Sequence, residues 1–299
     1  MIARKIIGCG SGVGMTENRQ WDIVTSVGLT ALAVASARAV ETASGYIDDP
    51  YAASFVRAAK PPVPLPLEPR DDSHVSDWAS MAGYLGVRTR FFDGYFAAAD
   101  TPQVVILAAG LDTRAYRLDW TGRDVFEIDQ PRVLEFKQQV LDAQGAVPAC
   151  RRHAVAVDLR DDWTRALLGA GFQPGRPTAW LAEGLLPYLP PEAEEKLFGE
   201  IVKLSAPGSH VATERLPESA FPDSLDAPFR QASLDMGIDI ETLWNRAPRR
   251  NPNEWLGAQG WAVDVEQASE VFARFGRELY PGTESFLGKA QLVKAHLPG

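Results

Sequence analysis

The composition is that of an ordinary folded protein with an acidic surface. The chain has 299 residues, of which 45% are hydrophobic and 23% are charged, so it is long enough to bury a full core. Its formal net charge of -9 argues against a nucleic-acid partner, because a phosphate backbone requires a basic surface. Only two cysteines are present, without metal-ligand spacing, and no apolar run reaches the length of a membrane helix. These features predict a cytoplasmic protein with no membrane contact and no metal site.

Residues 1–14 read MIARKIIGCGSGVG and contain glycines at positions 8, 10, 12 and 14. The apolar stretch is too short for a secretory signal, which needs about 7–15 apolar residues. A phosphate loop should follow a strand and open a helix, whereas this run leads into a polar segment. We therefore expect residues 1–14 to be a disordered extension, with Met15 as a candidate start, and residues 15–299 to form a single domain.

Helical periodicity dominates the first third of the chain. Apolar residues recur at helical spacing in residues 28–42, with Thr25 or Ser26 as the N-cap, and again in residues 77–99. A shorter helix is expected over residues 51–59. Residues 60–70 hold five prolines and should be an extended connector. We expect residues 15–99 to form a helical cap.

Strands and helices then alternate at short spacing. Residues 103–108 (QVVILA) form an apolar, β-branched run that is typical of a strand buried on both faces. Such alternation requires right-handed crossovers and a parallel sheet covered on both sides, which is an α/β fold. The predicted strands are residues 103–108, 124–128, 153–157, 178–183 and 209–214, and the predicted helices are residues 113–118, 131–143, 163–169 and 192–204.

Polar residues gather after four successive strands. A parallel sheet binds its ligand at the carboxyl ends of its strands, so these side chains should share one site. They are Gly110, Asp112 and Arg114 after the first strand, Glu127 and Asp129 at the second, Asp158 and Arg160 after the third, and Glu183 with Gly184 after the fourth.

Two of these residues suggest a nucleoside. Gly110 allows a tight turn after the first strand, so that a ligand can approach the main chain. Asp129 ends the second strand, where an acidic residue can accept hydrogen bonds from both ribose hydroxyls; a cap of the following helix is the alternative. The three-glycine dinucleotide pattern is missing, because positions 108 and 109 are alanine and position 113 is threonine.

Two further acidic residues have candidate ligand roles. Asp158 could accept a hydrogen bond from an adenine amine while Leu159 provides an apolar wall, although Asp158 could instead cap the next helix. Glu183 follows an apolar strand and would be a costly buried anion unless it met a cation, such as the ammonium of a methionine moiety.

Six segments resemble one family: WDIVTSVGLTALAVASARAVE (21–41), VRTRFFD (87–93), VVILAAGLDTRAYRL (104–118), FEIDQPRVLEFK (126–137), AVDLRDDW (156–163) and AEGLLPYLP (182–190). They are similar to the actinobacterial, mycobacterial-type S-adenosylmethionine-dependent methyltransferases related to leucine carboxyl methyltransferases. The resemblance covers residue 21 to the C-terminus. It implies a class I methyltransferase Rossmann-like fold: a seven-stranded, mostly parallel sheet with helices on both faces and a helical cap. Residues 261–266 and 291–296 would be strands six and seven, the last one antiparallel.

The resemblance also implies S-adenosyl-L-methionine as the cofactor. Gly110 would lie under its methionine part, Glu183 would face it, and Arg88 rather than Arg90 would bind its carboxylate. Asp129, Asp158 and Leu159 carry over as cofactor-binding residues. Ala108 stands where the leucine carboxyl methyltransferases have a glycine, from which we expect only a slight shift of the loop.

Residues 215–255 are too long for a simple crossover. They are both aromatic and acidic, and Phe221, Phe229 and Trp244 favour a substrate lid over a solvated insertion.

The expected reaction is in-line O-methylation of a small-molecule or peptide carboxylate or hydroxyl, which needs no metal. A carboxylate requires no general base, whereas a hydroxyl requires one. Tyr188, Glu183 and His153 are the candidate bases, and we favour a carboxylate or an acidic hydroxyl. A non-catalytic S-adenosylmethionine-binding relative is the alternative. A nicotinamide-dependent oxidoreductase is disfavoured by the missing glycine pattern.

Overall fold

The computed structural model describes residues 26–69, 77–217, 227–235, 237–280, 283 and 286–299. Its strands form one seven-stranded sheet in the order β3-β2-β1-β4-β5-β7-β6, and β1 to β5 are parallel. The last strand, β7, is antiparallel to both β5 and β6. This confirms the predicted fold class. The strands are β1 (Gln103–Leu107), β2 (Asp124–Asp129), β3 (Arg151–Ala156), β4 (Thr178–Ala182), β5 (His210–Arg215), β6 (Ala262–Gln267) and β7 (Gln291–His296).

Alternating residues of β1 supply the two halves of the core. Val104 and Ile106 belong to the hydrophobic cluster on one face of the sheet, and Val105 and Leu107 belong to the cluster on the other. Successive side chains of a strand point to opposite faces, so an uninterrupted apolar run is what a strand covered on both sides requires. All five residues of β1 are buried.

Helices cover both faces. Apolar residues of α1, α2, α3, α5 and α11 join one cluster, and those of α6, α7 and α10 join the other. The helices are α1 (Ser26–Ala43), α2 (Ala52–Ala59), α3 (Asp77–Ala98), α4 (Arg114–Arg117), α5 (Pro131–Ala143), α6 (Trp163–Gly169), α7 (Pro191–Leu204), α8 (Ala227–Asp235), α9 (Ile240–Leu243), α10 (Pro252–Ala258) and α11 (Ala268–Arg274). Among the described helices, none has the length and apolar character to cross a membrane.

Two strand boundaries differ from the prediction for physical reasons. Strand β3 begins at Arg151, two residues earlier than expected, because its polar start pairs with β2: the guanidinium of Arg151 bonds both oxygens of Asp124. Strand β1 ends at Leu107, because Ala108 has a φ of 49° that breaks the extended conformation. The predicted extension at residues 1–14 and the aromatic residue Phe221 lie outside the described residues.

Candidate functional site

A cavity of about 910 Å³ lies at the carboxyl ends of the parallel strands. Its wall contains every predicted site residue: Arg88, Gly110, Asp129, Asp158, Leu159, Glu183 and Tyr188. Helices α1 and α3 and the segment after β5 complete the wall. The structure thus brings the predicted residues together, and the part each one plays in binding stays a prediction.

The turn after β1 has two residues in the left-handed region. Gly110 has a φ of 48°, which glycine adopts readily, and Ala108 has a φ of 49°. The slight shift of the loop expected from this alanine stays a prediction, and Ala108 takes a conformation that costs an L-residue about 1–2 kcal/mol. A Cβ on Gly110 would meet its nearest atoms at 3.8 and 4.0 Å, so the glycine is needed for its φ and not for space.

Asp129 is held by main-chain donors. The N–H of Gly110 donates to Oδ2 at 2.6 Å, and the N–H of Gln130 donates to Oδ1 at 2.7 Å. Burial raises the pKa of Asp129 to about 6, although these two hydrogen bonds oppose the rise. No side-chain cation contacts this carboxylate among the described residues. Each oxygen therefore has a lone pair left that can accept a hydrogen bond from a ligand in the cavity.

Asp158 is held by an arginine two residues later. Its Oδ1 accepts from the N–H and the Nε of Arg160, both at 2.9 Å, and its Oδ2 accepts from Nη2 at 2.6 Å. These hydrogen bonds lower the pKa of Asp158, so it is ionised at neutral pH. Leu159 and Val157 add apolar wall beside it. An adenine amine would have to share Oδ2 with the exposed Arg160.

Glu183 lies between two buried arginines. Its Oε1 is 2.9 Å from Nε of Arg88, and its Oε2 accepts from Nη1 of Arg114 at 2.8 Å. The sequence analysis expected this buried anion to need a cation, and the protein itself supplies two. A ligand ammonium would therefore be a third positive partner for Glu183.

Arg114, which the strand-end pattern placed after the first strand without a role, is the hub of the buried ion pairs. It is 2% exposed, and besides Glu183 it contacts Asp93 through Nε at 2.7 Å and Asp112 through Nη1 at 2.5 Å. Burial disfavours the charged form of Asp112, but Arg114 together with the nearby cations Lys137, Arg38 and Arg117 outweighs it and lowers the pKa of Asp112 to about 2. One buried cation thus joins the turn after β1, helix α3 and the end of β4.

Glu214 was missed, although it is the acidic residue near the end of the fifth strand. Its Oε2 accepts from Nη1 of Arg88 at 2.7 Å, and its Oε1 accepts from the hydroxyl of Tyr84. It is buried and lines the cavity. The strand-end rule that identified Asp129, Asp158 and Glu183 would have found it if it had been extended by one strand.

Arg88 and Arg90 lie on different sides of α3. Arg88 lines the cavity, and among the described residues neither of its two ion pairs uses Nη2. Arg90 lies outside this cavity, with its guanidinium over the rings of Tyr46 and Phe275 at 5.3 and 5.1 Å. The geometry favours Arg88 for a ligand carboxylate.

The candidate bases differ in position and protonation. Burial raises the pKa of Tyr188, against smaller effects of hydrogen bonds with Trp244 and Thr30, so its phenol is protonated at neutral pH. His153 does not line the cavity: its ring stacks on Phe126, and Nε2 lies 3.1 Å from Asp124. These contacts are those of a structural residue, as expected for a histidine early in a strand.

The described part of the insertion closes one side of the cavity. Helix α8 packs against α3, and the following segment contributes Ile238, Ile240, Leu243 and Trp244 to the wall. Trp244 is buried and its ring lies 5.9 Å from that of Phe286. Trp244 thus has the position expected of a lid residue, whereas the side chain of Phe229 is not among the described ones.

Comparison with known proteins identifies the family. The family model described as "Leucine carboxyl methyltransferase" matches residues 31–202, which is more than half of the chain. A protein of Saccharopolyspora erythraea named "Putative S-adenosyl-L-methionine-dependent methyltransferase" is 49% identical over 289 residues, covering 94% of this chain and 99% of its own. A Rhodococcus jostii protein with the same description is 49% identical over 271 residues, covering 88% of this chain and 92% of its own.

A solved structure supports the fold alone. A DUF574 family protein from Streptomyces avermitilis superimposes with a TM-score of 0.51 at 14% identity, covering 88% of this chain and 97% of its own. The sequence relatives identify the family as well as the fold, and they confirm the resemblance of the six segments. The chain belongs to the leucine carboxyl methyltransferase family, a family of S-adenosylmethionine-dependent methyltransferases.

Proposed function

We propose that this methyltransferase methylates a carboxylate oxygen of a small-molecule or peptide acceptor in the cytoplasm. The observation that carries this proposal is the state of the ionisable groups along the cavity wall. Among the described ionisable side chains near Glu183, each carboxylate forms an ion pair with a buried arginine, and the phenol of Tyr188 is protonated. A carboxylate acceptor is already a nucleophile at neutral pH, so it needs none of them as a base.

The residues present fit the methyl donor. Asp129 lines the cavity, and its hydrogen-bond donors among the described residues are main-chain N–H groups, so a ribose hydroxyl pair would supply donors to its remaining lone pairs. Asp158 and Leu159 would hold the adenine, and Nη2 of Arg88 would bind the amino-acid carboxylate. S-Adenosylmethionine, when bound, supplies a methyl group on a positively charged sulfur that needs no further activation.

A hydroxyl acceptor would need a base that the described residues of the site do not provide. Glu183 forms ion pairs with Arg88 and Arg114, and giving up either contact to take a proton would leave a buried arginine with fewer partners. Asp129, with a pKa of about 6, could take a proton, but it lies beside Gly110 at the nucleoside end. The walls of the cavity therefore act mainly by orienting the acceptor and excluding water.

The decisive experiment is the base stability of the product. The purified enzyme is incubated with methyl-labelled S-adenosylmethionine and cell extract or a panel of carboxylic acids, and the product is treated with alkali. We expect a labile methyl ester that releases labelled methanol. The Asp129→Ala variant is the control, and it should form little product at a limiting donor concentration.

Other results would favour the alternatives. A base-stable methyl ether would contradict the carboxylate proposal and indicate a hydroxyl acceptor. Binding of S-adenosylmethionine by calorimetry, without product from any acceptor, would favour a non-catalytic relative. Binding of NAD in its place would indicate an oxidoreductase.

A further inference from the structure

The cavity wall contains a group of apolar residues that the donor-binding residues do not account for. We call this group the acceptor chamber and define it by Met81, Leu85, Leu216, Ile240, Leu243 and Trp244, which all line the cavity. These residues come from α3 and from the insertion, in which Leu216 lies directly after β5. Two separate parts of the chain thus present hydrocarbon to the cavity, whose wall also contains Arg88 and Glu214.

The charged residues of the described cavity wall lie outside the insertion. They come from α1, α3 and the strand ends, whereas the described wall residues of the insertion are all uncharged. The hydroxyl of Thr242 donates to the carbonyl of Asp239 at 2.8 Å. Ser233 also has a polar partner. The described wall of the acceptor chamber therefore offers no unpaired charge.

This distribution restricts what can bind. A peptide would bring amide N–H and C=O groups into the acceptor chamber, and each amide buried without a partner weakens binding. A second charge on the acceptor would be more unfavourable still, because the described residues hold no counter-ion for it there. A hydrocarbon chain or ring leaves no polar group unsatisfied, and its burial is favourable.

We infer that the acceptor is a small monocarboxylic acid with an aliphatic or aromatic body, and not the carboxyl terminus of a peptide. This inference rests on the proposed carboxylate methylation and adds the substrate class to it. The carboxylate would lie near Tyr188, and the hydrocarbon body would lie against Leu243 and Trp244. Methyl transfer would form the ester O–CH3 bond as the S–CH3 bond breaks, leaving a neutral thioether on the donor.

Calorimetry on the full chain saturated with S-adenosylhomocysteine tests the inference without turnover. The probes are octanoate, phenylacetate, succinate and an acetylated tripeptide that ends in leucine. We expect octanoate or phenylacetate to bind at least about tenfold more tightly than the tripeptide or succinate, which is the discrimination expected of an apolar pocket. Tighter binding of the tripeptide would overturn the inference.

A matched pair of leucines locates the binding. Leu243 lines the acceptor chamber, whereas Leu234 lies on α8 with 45% of its surface exposed and is not part of the wall. Leu243→Asn should weaken binding of the apolar acid about tenfold and leave S-adenosylmethionine binding intact, whereas Leu234→Asn should change neither. Equal affinities in both variants would overturn the inference.

The failure of the inference can be told apart from that of the proposed function. If apolar acids bind in the Leu243-dependent way but the product is base-stable, carboxylate methylation is wrong and the apolar character of the acceptor stands. If base-labile esters form preferentially on leucine-ended peptides, carboxylate methylation stands and the small-acid inference is overturned.

Discussion

The two ends of the cavity hold their carboxylates by different means. At the nucleoside end, Asp129 accepts from two main-chain N–H groups and Asp158 from the exposed Arg160. At the transfer end, Glu183 and Glu214 share buried arginines. The first arrangement leaves lone pairs for a ligand, whereas the second uses its charges within the protein. We therefore expect mutations at the nucleoside end to affect binding and mutations at the transfer end to affect folding.

The largest effect is expected from removing the hub of the transfer end. Arg114→Met leaves Asp93, Asp112 and Glu183 without their shared buried cation. Breaking a buried ion pair by removing one partner costs about 3–5 kcal/mol. The free energy of unfolding at pH 7, measured by urea denaturation, should fall by at least this amount.

A surface ion pair provides the control. Arg151 pairs with Asp124 at 2.7 Å, but its side chain is 58% exposed. Arg151→Met should therefore lower the free energy of unfolding by at most about 1 kcal/mol. A similar loss in both variants would show that burial does not distinguish the two arginines and would remove the basis of the comparison.

The next largest effect is expected at the nucleoside end. Asp129→Ala should weaken S-adenosylmethionine binding by at least about tenfold, because each hydrogen bond to a charged group contributes about 1.5–3 kcal/mol and the ribose would make two. The free energy of unfolding should change much less than in Arg114→Met. Calorimetry measures the affinity, and Asp161→Ala, on an exposed residue outside the cavity wall, is the control. Unchanged affinity in Asp129→Ala would mean that the donor binds elsewhere.

The same carboxylate should give donor binding a pH dependence. The pKa of Asp129 is raised to about 6, so the charged form that accepts ribose hydroxyls predominates above that pH and is lost as the pH falls through it. Affinity at pH 5 should be about tenfold weaker than at pH 7.5. Asp158 has a lowered pKa and stays ionised over this range. Persistence of the pH dependence in Asp129→Ala would assign it to another group.

The smallest expected effect concerns the turn between the two ends. Ala108 has a left-handed φ, and Ala108→Gly would relieve about 1–2 kcal/mol of strain. The greater freedom of glycine in the unfolded chain offsets part of this gain, by about 0.4–1 kcal/mol. The free energy of unfolding should therefore rise by between zero and about 1.6 kcal/mol. A clear decrease in urea denaturation would show that the alanine methyl group is needed for packing.

The sheet could be predicted because local sequence determines its strands. The run QVVIL predicts β1. Pro131 and the apolar spacing that follows it predict α5 with its observed bounds. Strand β3 was placed two residues late because its polar start, Arg151, is stabilised by Asp124 of the neighbouring strand. Such a partner cannot be read from local periodicity.

The candidate site could be predicted only in part, for a related reason. Asp129, Asp158 and Glu183 follow strands, so topology alone brings them to one edge of the sheet. The hub residue Arg114 is different, because its partners Asp93 and Glu183 lie 21 and 69 residues away along the chain. Nothing in the spacing indicates that one arginine joins them. Networks of this kind depend on tertiary geometry.

Helix α3 also limits how the enzyme can change its preference. Leu85 and Arg88 are three residues apart, about 4.5 Å along the helix axis, and one lines the acceptor chamber while the other holds Glu183 and Glu214. A change that shifts this helix to fit a new acceptor would also disturb the ion pairs beside the donor. Ile240 and Leu243 of the insertion are uncharged and take part in none of these ion pairs. Engineering for a different acid should therefore begin with Ile240 and Leu243.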